Sequence, residues 1–184
     1  MNEQLEIIGK QKADYILSTF NDIPNFPKEG VVFKDIMGAI ADPKAFEYLM
    51  EAFIKLMPEG VKYIVGIEAR GFILGVALAQ KLGIGFIPLR KKGKLPPPVE
   101  SITYSLEYGS DTLEIQKGRI EKGAGVFVID DVIATGGTVE AAKKLLENAG
   151  AIIKGFGFVI ELTFFDAIKV LDGYKVISLC KVAD

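Results

Sequence analysis

The segment from Val126 to Thr138 reads VFVIDDVIATGGT and carries residue types that bind phosphates and sugars. Its first half predicts a buried strand that ends at Asp130 and Asp131, and ligands of open parallel sheets bind beyond the carboxyl ends of the strands. The glycines that follow let the backbone fold tightly around an anion, which then faces successive N–H groups and the positive end of the next helix. The sequence therefore predicts a phosphate-binding loop formed by Ala134, Thr135, Gly136, Gly137 and Thr138.

The acid pair next to this loop needs its own explanation, because carboxylates repel a phosphate unless they bind hydroxyls or a cation. The hydroxyls of a ribose and a Mg²⁺ ion both fit Asp130 and Asp131. The alternative is that the two acids only cap the following turn, as Asp often does, but the glycines downstream favour ligand binding. The loop matches neither GxxxxGK[ST] nor GxGxxG, which disfavours a nucleoside triphosphatase and a dinucleotide enzyme.

The chain contains no histidine, which excludes Ser-His-Asp and Cys-His catalysis and His-ligated metal sites. An acid or base must then be a carboxylate, Tyr, Lys, a substrate group or solvent. Any metal is expected to be hard and oxygen-bound, which points to Mg²⁺ carried by a phosphate substrate. The one cysteine, Cys180, lies in the apolar run VISLCKV and is predicted to pack in the core of a protein from a reducing compartment.

Charge and hydropathy exclude other classes of protein. The 184 residues include 22 Lys plus Arg and 24 Asp plus Glu, a net charge of −2 that argues against a general nucleic-acid binder. Apolar runs such as Ile73 to Ala79 are shorter than the roughly 20 residues of a membrane span. The N-terminus mixes charges early, which is not typical of a secretory signal. We therefore expect a cytoplasmic protein without a membrane partner.

Strands that alternate with helices predict an α/β fold with a central, mostly parallel sheet flanked by helices. Asp42 and Pro43 are typical of a helix start, as N-cap and first helical residue. We predict further helices over Gly71 to Leu82 and Thr138 to Asn148, and a hairpin with one solvent-facing side over 102–116. The predicted buried strands are Lys62 to Ile67, Ile84 to Leu89, Gly125 to Ile129, Ile152 to Ile160 and Val176 to Val182. The alternation predicts a single domain over 1–184, with residues 1–40 outside the α/β core of 41–184 and forming a cap.

Several segments together resemble the adenine phosphoribosyltransferases, a family of type I phosphoribosyltransferases, in order and spacing over essentially the full chain. DDVIATGGT resembles their motif for phosphoribosyl diphosphate (PRPP). The other segments are FPKEGVVFKDI at 26–36, GIEARGF at 66–72, PLRKKGKLP at 88–96 and YSLEYGSDTLEIQ at 104–116. The resemblance implies the type I phosphoribosyltransferase fold, with an N-terminal hood over the base at 1–40 and a mobile hairpin lid at about 97–116.

The resemblance also implies a reaction: Mg²⁺-dependent transfer of the phosphoribosyl group from PRPP to N9 of adenine, giving AMP and pyrophosphate in purine salvage. It places the 5′-phosphate on the loop from Ala134 to Thr138. Asp130 and Asp131 are expected on the ribose hydroxyls, directly or through Mg²⁺ and water. Pyrophosphate is expected to contact Arg70, Arg90, Lys91, Lys94 and Tyr108.

For the proton of the purine, the resemblance and the missing histidines favour Glu107 at the tip of the hairpin as acid or base. Adenine is expected between Val32, Phe33 and Lys34 of the hood and Val132 on the opposite face. Lys34 stands where the family often has Arg. Part of the basic 90–94 segment is expected to reach the site of a neighbouring subunit, which implies a homodimer.

Two alternatives stay open on the sequence. The first is a phosphoribosyltransferase for another base, such as guanine, hypoxanthine or orotate; the segment FPKEGVVFKDI favours adenine. The second is a non-catalytic PRPP-binding regulator of the same fold. Such a regulator would be expected to carry a DNA-binding module and a basic face, and neither is visible in this sequence.

Overall fold

The computed structural model describes residues 3–25, 29, 32–105 and 109–183. Its helices are α1 (Lys10–Ser18), α2 (Met37–Ala41), α3 (Pro43–Leu56), α4 (Arg70–Leu82) and α5 (Gly137–Asn148). Its strands are β1 (Asn21–Pro24), β2 (Val32–Asp35), β3 (Tyr63–Ile67), β4 (Gly85–Lys91), β5 (Val99–Ser105), β6 (Ser110–Gln116), β7 (Gly125–Ile133), β8 (Ile152–Leu162) and β9 (Val176–Val182). Short 3₁₀ helices cover Leu5–Ile8, Thr163–Phe165 and Ala167–Leu171.

The central sheet has seven strands in the order β5-β6-β4-β3-β7-β8-β9. The strands from β4 across to β9 pair in parallel, and the hairpin β5–β6 joins the β4 edge in antiparallel orientation. The predicted α/β fold with a mostly parallel central sheet and flanking helices is therefore confirmed. The parallel strands place their carboxyl ends along one edge of the sheet, where a ligand site is expected.

Strand β7 lies between two hydrophobic clusters and contributes side chains to both. Phe127 and Ile129 point into the cluster that contains α3 and α4, whereas Val126 and Val128 point into the cluster that contains α5. All four side chains are fully buried, as expected for a strand with helices on both faces. The strand is longer than predicted and continues to Ile133, so the acid pair lies inside the strand near its carboxyl end.

Helix α3 begins where the sequence predicts. The Asp42 carboxylate accepts hydrogen bonds from the backbone N–H groups of Lys44 at 2.9 Å and Ala45 at 2.8 Å, and Pro43 occupies the first turn. The backbone N–H of Ala45 is the main cause that lowers the pKa of Asp42, and the Tyr15 hydroxyl, which donates to the same carboxylate at 2.9 Å, adds to it. The cap thus anchors α3 and ties it to α1.

Residues before Asp42 divide into two structural parts. Leu5 and Ile16 are completely buried in the same cluster as Leu49 and Phe53 of α3, so the helical part packs into the main core. Strands β1 and β2 form a separate two-stranded antiparallel sheet. The 1–40 segment is thus not one unit outside the core, because the apolar positions of its helical part are buried against α3.

The predicted hairpin over 102–116 is formed by β5 and β6 and begins three residues earlier, at Val99. Ser105 pairs with Ser110 and Tyr104 pairs with Asp111, so both Ser110 and Asp111 belong to β6. Leu113 is fully buried against the α5 side of the sheet, whereas β5 alternates between half-buried and exposed residues. The predicted tip residues 106–108 lie outside the described residues. Among the described helices, none is both long and apolar enough to cross a membrane.

Candidate active site

A cavity of about 800 Å³ opens at the carboxyl ends of the parallel strands. Its wall is formed by the ends of β3, β7, β8 and β9, the first residues of α4 and α5, and strand β2. The predicted phosphate loop and acid pair both contribute to this wall, as does the predicted base-binding segment 32–34. The structure therefore brings together residues that are about a hundred positions apart in the sequence.

The loop between β7 and α5 surrounds one end of the cavity. Gly136 has φ +88°, in the left-handed region where side chains are strained, and a Cβ there would meet Ala167 and Val170 at 3.3 Å. Gly137 opens α5 with an ordinary φ, and its missing Cβ has room: the nearest atom, the Ser105 carbonyl oxygen, would be 3.4 Å away. The two predicted glycines thus differ, and only Gly136 is required by the fold of the loop.

Asp130 and Asp131 differ in their surroundings. The Asp131 side chain is 7% exposed and forms an ion pair with the Nε of Arg70. The Asp130 carboxylate accepts the backbone N–H of Asp131 at 2.9 Å. Burial and the neighbouring Asp131 carboxylate raise the pKa of Asp130 well above its usual range. The pair therefore presents one carboxylate with a cationic partner and one that resists ionisation.

Arg70 is the first residue of α4 and stands between the two ends of the cavity. Besides its contact with Asp131, its guanidinium carbon lies 5.7 Å from the centre of the Phe33 ring on β2. Gly71 follows Arg70 in the first turn of α4. In the structure a Cβ on Gly71 would lie 2.6 Å from the Ile129 carbonyl oxygen, so this glycine serves the packing of α4 on β7.

Arg90 is held away from the cavity by a residue that the sequence analysis did not single out. Glu68 follows β3 and accepts from Arg90 Nε at 3.2 Å and Nη2 at 3.1 Å, and from the backbone N–H of Lys91 at 2.8 Å. The hydrogen bond with Arg90 is the main cause that lowers the pKa of Glu68. Its position directly after the carboxyl end of a buried strand was the available signal. Among the described residues, Arg90 and the exposed Lys94 do not line the cavity, whereas Lys91 does.

Lys91 lies at the end of β4, and its ammonium group is already engaged. It donates to the Tyr104 hydroxyl at 3.0 Å and forms an ion pair with Asp111 of the hairpin. Burial opposes its charge, but the hydrogen bonds to Asp111 and Tyr104 outweigh burial and raise the pKa of Lys91. Lys91 is therefore a permanent cation at the edge of the cavity.

The end of the cavity opposite the loop is mostly apolar. Val32, Phe33 and Lys34 line it from β2, and Val132 lines it from β7. The Lys34 ammonium pairs with Asp22 on β1 instead of facing a ligand. Apolar side chains that the sequence analysis did not assign complete the wall: Ile160, Leu162, Phe164, Phe165 and Val182. They lie in the last residues of β8, just after it, or at the end of β9, and no local pattern in the sequence distinguishes them.

Two of the predicted site residues belong to the predicted hairpin tip, and the predicted metal site consists of Asp130 and Asp131. Glu107 and Tyr108 lie outside the described residues. In the part of the chain that the structure describes, no group of three or more acidic or cysteine side chains could hold a metal ion. Asp130 and Asp131 alone suit a Mg²⁺ ion that keeps its waters and is held chiefly by the phosphates of a substrate.

Comparisons with known proteins agree with this arrangement. A family model described as a phosphoribosyl transferase domain matches residues 40–161. The adenine phosphoribosyltransferase of Bifidobacterium adolescentis is 47% identical over 178 residues, which cover 95% of this chain and 92% of the relative. The crystal structure of the enzyme from Thermoanaerobacter pseudethanolicus has a TM-score of 0.87 and 46% identity, covering 92% of this chain and 99% of that one.

A further similar structure holds ligands. The adenine phosphoribosyltransferase of Saccharomyces cerevisiae, in complex with D-2,5-dideoxy-2,5-imino-altritol 1,6-bisphosphate and adenine, has a TM-score of 0.84 and 40% identity. The match covers 92% of this chain and 99% of the yeast chain. In that yeast enzyme a bisphosphate and adenine are bound in the same complex.

Proposed function

This chain belongs to the adenine phosphoribosyltransferase family, and we propose that it transfers the phosphoribosyl group of PRPP to N9 of adenine, giving AMP and pyrophosphate. The observation that carries this proposal is the two-ended cavity. One end has a backbone loop at a helix N-terminus, and the other end has apolar walls from β2, β7, β8 and β9. The first suits a phosphate and the second suits a flat base, with the acid pair between them.

The phosphate end acts through backbone geometry. The positive end of the twelve-residue helix α5 faces the loop, and successive N–H groups from Ala134 to Thr138 serve as donors. The hydroxyls of Thr135 and Thr138 add two more donors. These groups hold the 5′-phosphate and so fix the position of C1′ relative to the base.

The acid pair works on the ribose. Its carboxylates accept hydrogen bonds from the 2′- and 3′-hydroxyls, and these donors lower the cost of ionising Asp130. As C1′ loses pyrophosphate it becomes cationic, and fixed negative charge on its ribose side stabilises that charge without reorganisation. Asp130 and Asp131 would hold, through water, a Mg²⁺ ion bound to PRPP, and such an ion would supply positive charge to the leaving pyrophosphate.

Arg70 on α4 and Lys91 on β4 line the cavity, and we assign the pyrophosphate to these two cations. Arg70 pairs with Asp131, so a polyanion at this point would compete with Asp131 for the guanidinium. Arg90 and Lys94 are not among the residues that line this cavity, which suits a homodimer in which part of the 90–94 segment reaches the partner's site. Molar mass in solution by light scattering tests the dimer.

The base is held by shape and apolar contact. Val32 and Phe33 on one side and Val132 on the other enclose a flat ring, while backbone groups of β2 read its edge. Glu107 stays our candidate for the group that takes the proton of the purine, on the strength of the sequence alone. In the variants Glu107→Gln and Glu107→Ala, kcat should fall far more than KM for PRPP rises. The buried free thiol of Cys180 suits a cytoplasmic location.

One assay tests the proposal. Purified protein is incubated with Mg²⁺, PRPP and, in turn, adenine, guanine, hypoxanthine or orotate, and nucleotide and pyrophosphate are measured. Turnover with adenine alone is the expected result. Turnover with another base instead would reassign the base end, and PRPP binding without turnover on any base would support a non-catalytic regulator. Omission of Mg²⁺ should abolish turnover.

A further inference from the structure

Tyr104 on β5 carries a hydroxyl group that three other polar side chains approach. Lys91 Nζ donates to it at 3.0 Å, and the Thr138 hydroxyl donates to it at 3.3 Å. The Tyr104 hydroxyl itself donates to the Asp111 carboxylate at 3.4 Å. Thr138 belongs to the phosphate loop, whereas Lys91 and Asp111 lie on β4 and β6, so this one oxygen connects three parts of the molecule.

The contact between the hairpin and the loop extends beyond this oxygen. The ring of Tyr104 and the carbonyl oxygen of Ser105 lie against Gly137, where a Cβ would be 3.9 Å and 3.4 Å from them. The Lys91 ammonium lies 5.6 Å from the centre of the Tyr104 ring. The phenol is therefore held in one orientation by its ring as well as by its hydroxyl.

The number of protons restricts what this network can do. A threonine hydroxyl has one proton, so Thr138 can donate either to Tyr104 or to a phosphate, but not to both. A phosphate oxygen is charged and is the stronger acceptor. When a phosphate binds, Thr138 turns its proton to the ligand and its oxygen becomes an acceptor at hydrogen-bonding distance from Tyr104.

Asp111 keeps most of its hydrogen bonds when Tyr104 no longer donates to it. Its hydrogen bond to Asp111 is long, and Asp111 keeps its ion pair with Lys91 and the backbone N–H of Thr112 at 2.7 Å. A chain then runs from Lys91 to Tyr104, from Tyr104 to Thr138 and from Thr138 to the phosphate. Hydrogen bonds arranged in such a chain polarise one another.

We propose that Tyr104 is a positioning residue that links Lys91 to the 5′-phosphate through Thr138. The inference rests on the proposed function only in taking the loop as the site of that phosphate. Tyr104 itself contacts neither the ligand nor the reacting atoms. Its hydroxyl orients the Thr138 proton toward the phosphate and transmits part of the positive charge of Lys91.

The test compares AMP with adenosine, which lacks the phosphate, in binding to Tyr104→Phe by titration calorimetry. Removing the hydroxyl should weaken AMP binding about three- to tenfold, which is the effect of losing one hydrogen bond in the chain between Lys91 and the phosphate. Adenosine binding should be unchanged. The matched control is Tyr174→Phe, which removes a hydroxyl that donates to Glu147 at 2.6 Å, away from the cavity. It should change neither affinity.

A double-mutant cycle with Thr138→Val gives a second readout that needs only AMP. In the Thr138→Val background, Tyr104→Phe should cause no further loss of AMP affinity, because the link is already broken. An equal loss in both backgrounds, an unchanged AMP affinity, or an equal loss for AMP and adenosine would overturn the proposal.

The failure of the proposed function would look different. If the wild-type protein binds AMP but does not use adenine, the enzyme assignment fails and the cycle still decides the role of Tyr104. If the wild-type protein does not bind AMP, the loop is not a phosphate site and the Tyr104 proposal falls with it.

Discussion

The two ends of the cavity are built in different ways. The proposed phosphate end is one continuous segment from Asp130 to Thr138, which consists of the end of β7, a backbone loop and the N-terminus of α5. The base end is assembled from β2, β7, β8 and β9, and its residues become neighbours only through the strand order of the sheet. A charged group can be bound by local backbone geometry, whereas a flat apolar ring needs walls from several elements. Changes at the phosphate end should therefore have large and localised effects, and changes at the base end should have smaller effects.

The largest effect is expected at Gly136. In Gly136→Ala the methyl group meets Ala167 and Val170 while φ stays positive, which costs about 1–3 kcal/mol of stability. The loop must shift to relieve this strain, and displaced donors should lower kcat/KM for PRPP by a factor on the order of a hundred.

Gly137→Ala is the matched control in the same loop, because its Cβ has room and its φ is ordinary. It should unfold within a few degrees of wild type in a calorimetric scan. If the two alanine variants lose the same stability, the loop is not held by the conformation of Gly136.

A smaller effect on activity is expected at Asp130. In Asp130→Asn the ribose loses a charged acceptor, and kcat/KM for PRPP should fall about thirtyfold, as for loss of a hydrogen bond to a charged group. The ligand-free variant should nevertheless melt at a higher temperature than wild type near neutral pH.

The sign of this gain follows from the raised pKa of Asp130. The folded protein binds its proton more tightly than the unfolded chain does. The free energy of unfolding of wild type therefore falls as pH rises from the ordinary aspartate range of about 4 through the raised pKa. The stability gain of Asp130→Asn should be small at pH 4 and increase with pH; a gain that is independent of pH would contradict the assigned protonation.

At the base end a single change should matter less. Phe164 and Phe165 line the cavity and remain 47% and 43% exposed. Phe164→Ala and Phe165→Ala should each raise KM for adenine about three- to tenfold, as for one aromatic contact, and leave KM for PRPP unchanged. Phe164→Leu and Phe165→Leu keep an apolar wall and are the controls. A larger increase in KM for PRPP than in KM for adenine would contradict the assignment of these rings to the base end of the cavity.

The smallest effect on activity is expected far from both ends. Asp42→Ala removes the cap of α3 and its bond to Tyr15, so the melting temperature should fall by a few degrees while kcat/KM is unchanged. Because the cap lowers the pKa of Asp42, its contribution is present near neutral pH and is lost as pH falls through that lowered pKa. Asp42→Asn keeps an acceptor and should recover most of the loss.

The same contrast explains what could be predicted from the sequence. The strands, the Asp42 cap and the loop between β7 and α5 depend on local patterns, and the structure has them within a few residues of where they were expected. Leu162, Phe164 and Val182 were missed because apolar residues at strand ends have no distinctive local pattern. The pairing of Arg90 with Glu68 and the contacts of Tyr104 were missed because they depend on which strands lie side by side.

Cys180 is the only cysteine of the chain, and it is 4% exposed in the core. Burial raises the pKa of its thiol to about 12, so it stays protonated and unreactive toward maleimides at neutral pH. A cysteine introduced at an exposed position, such as Ser101 on β5, would be the one thiol available for a dye or a spin label. A single label on the hairpin can therefore report on its surroundings without first removing the native cysteine.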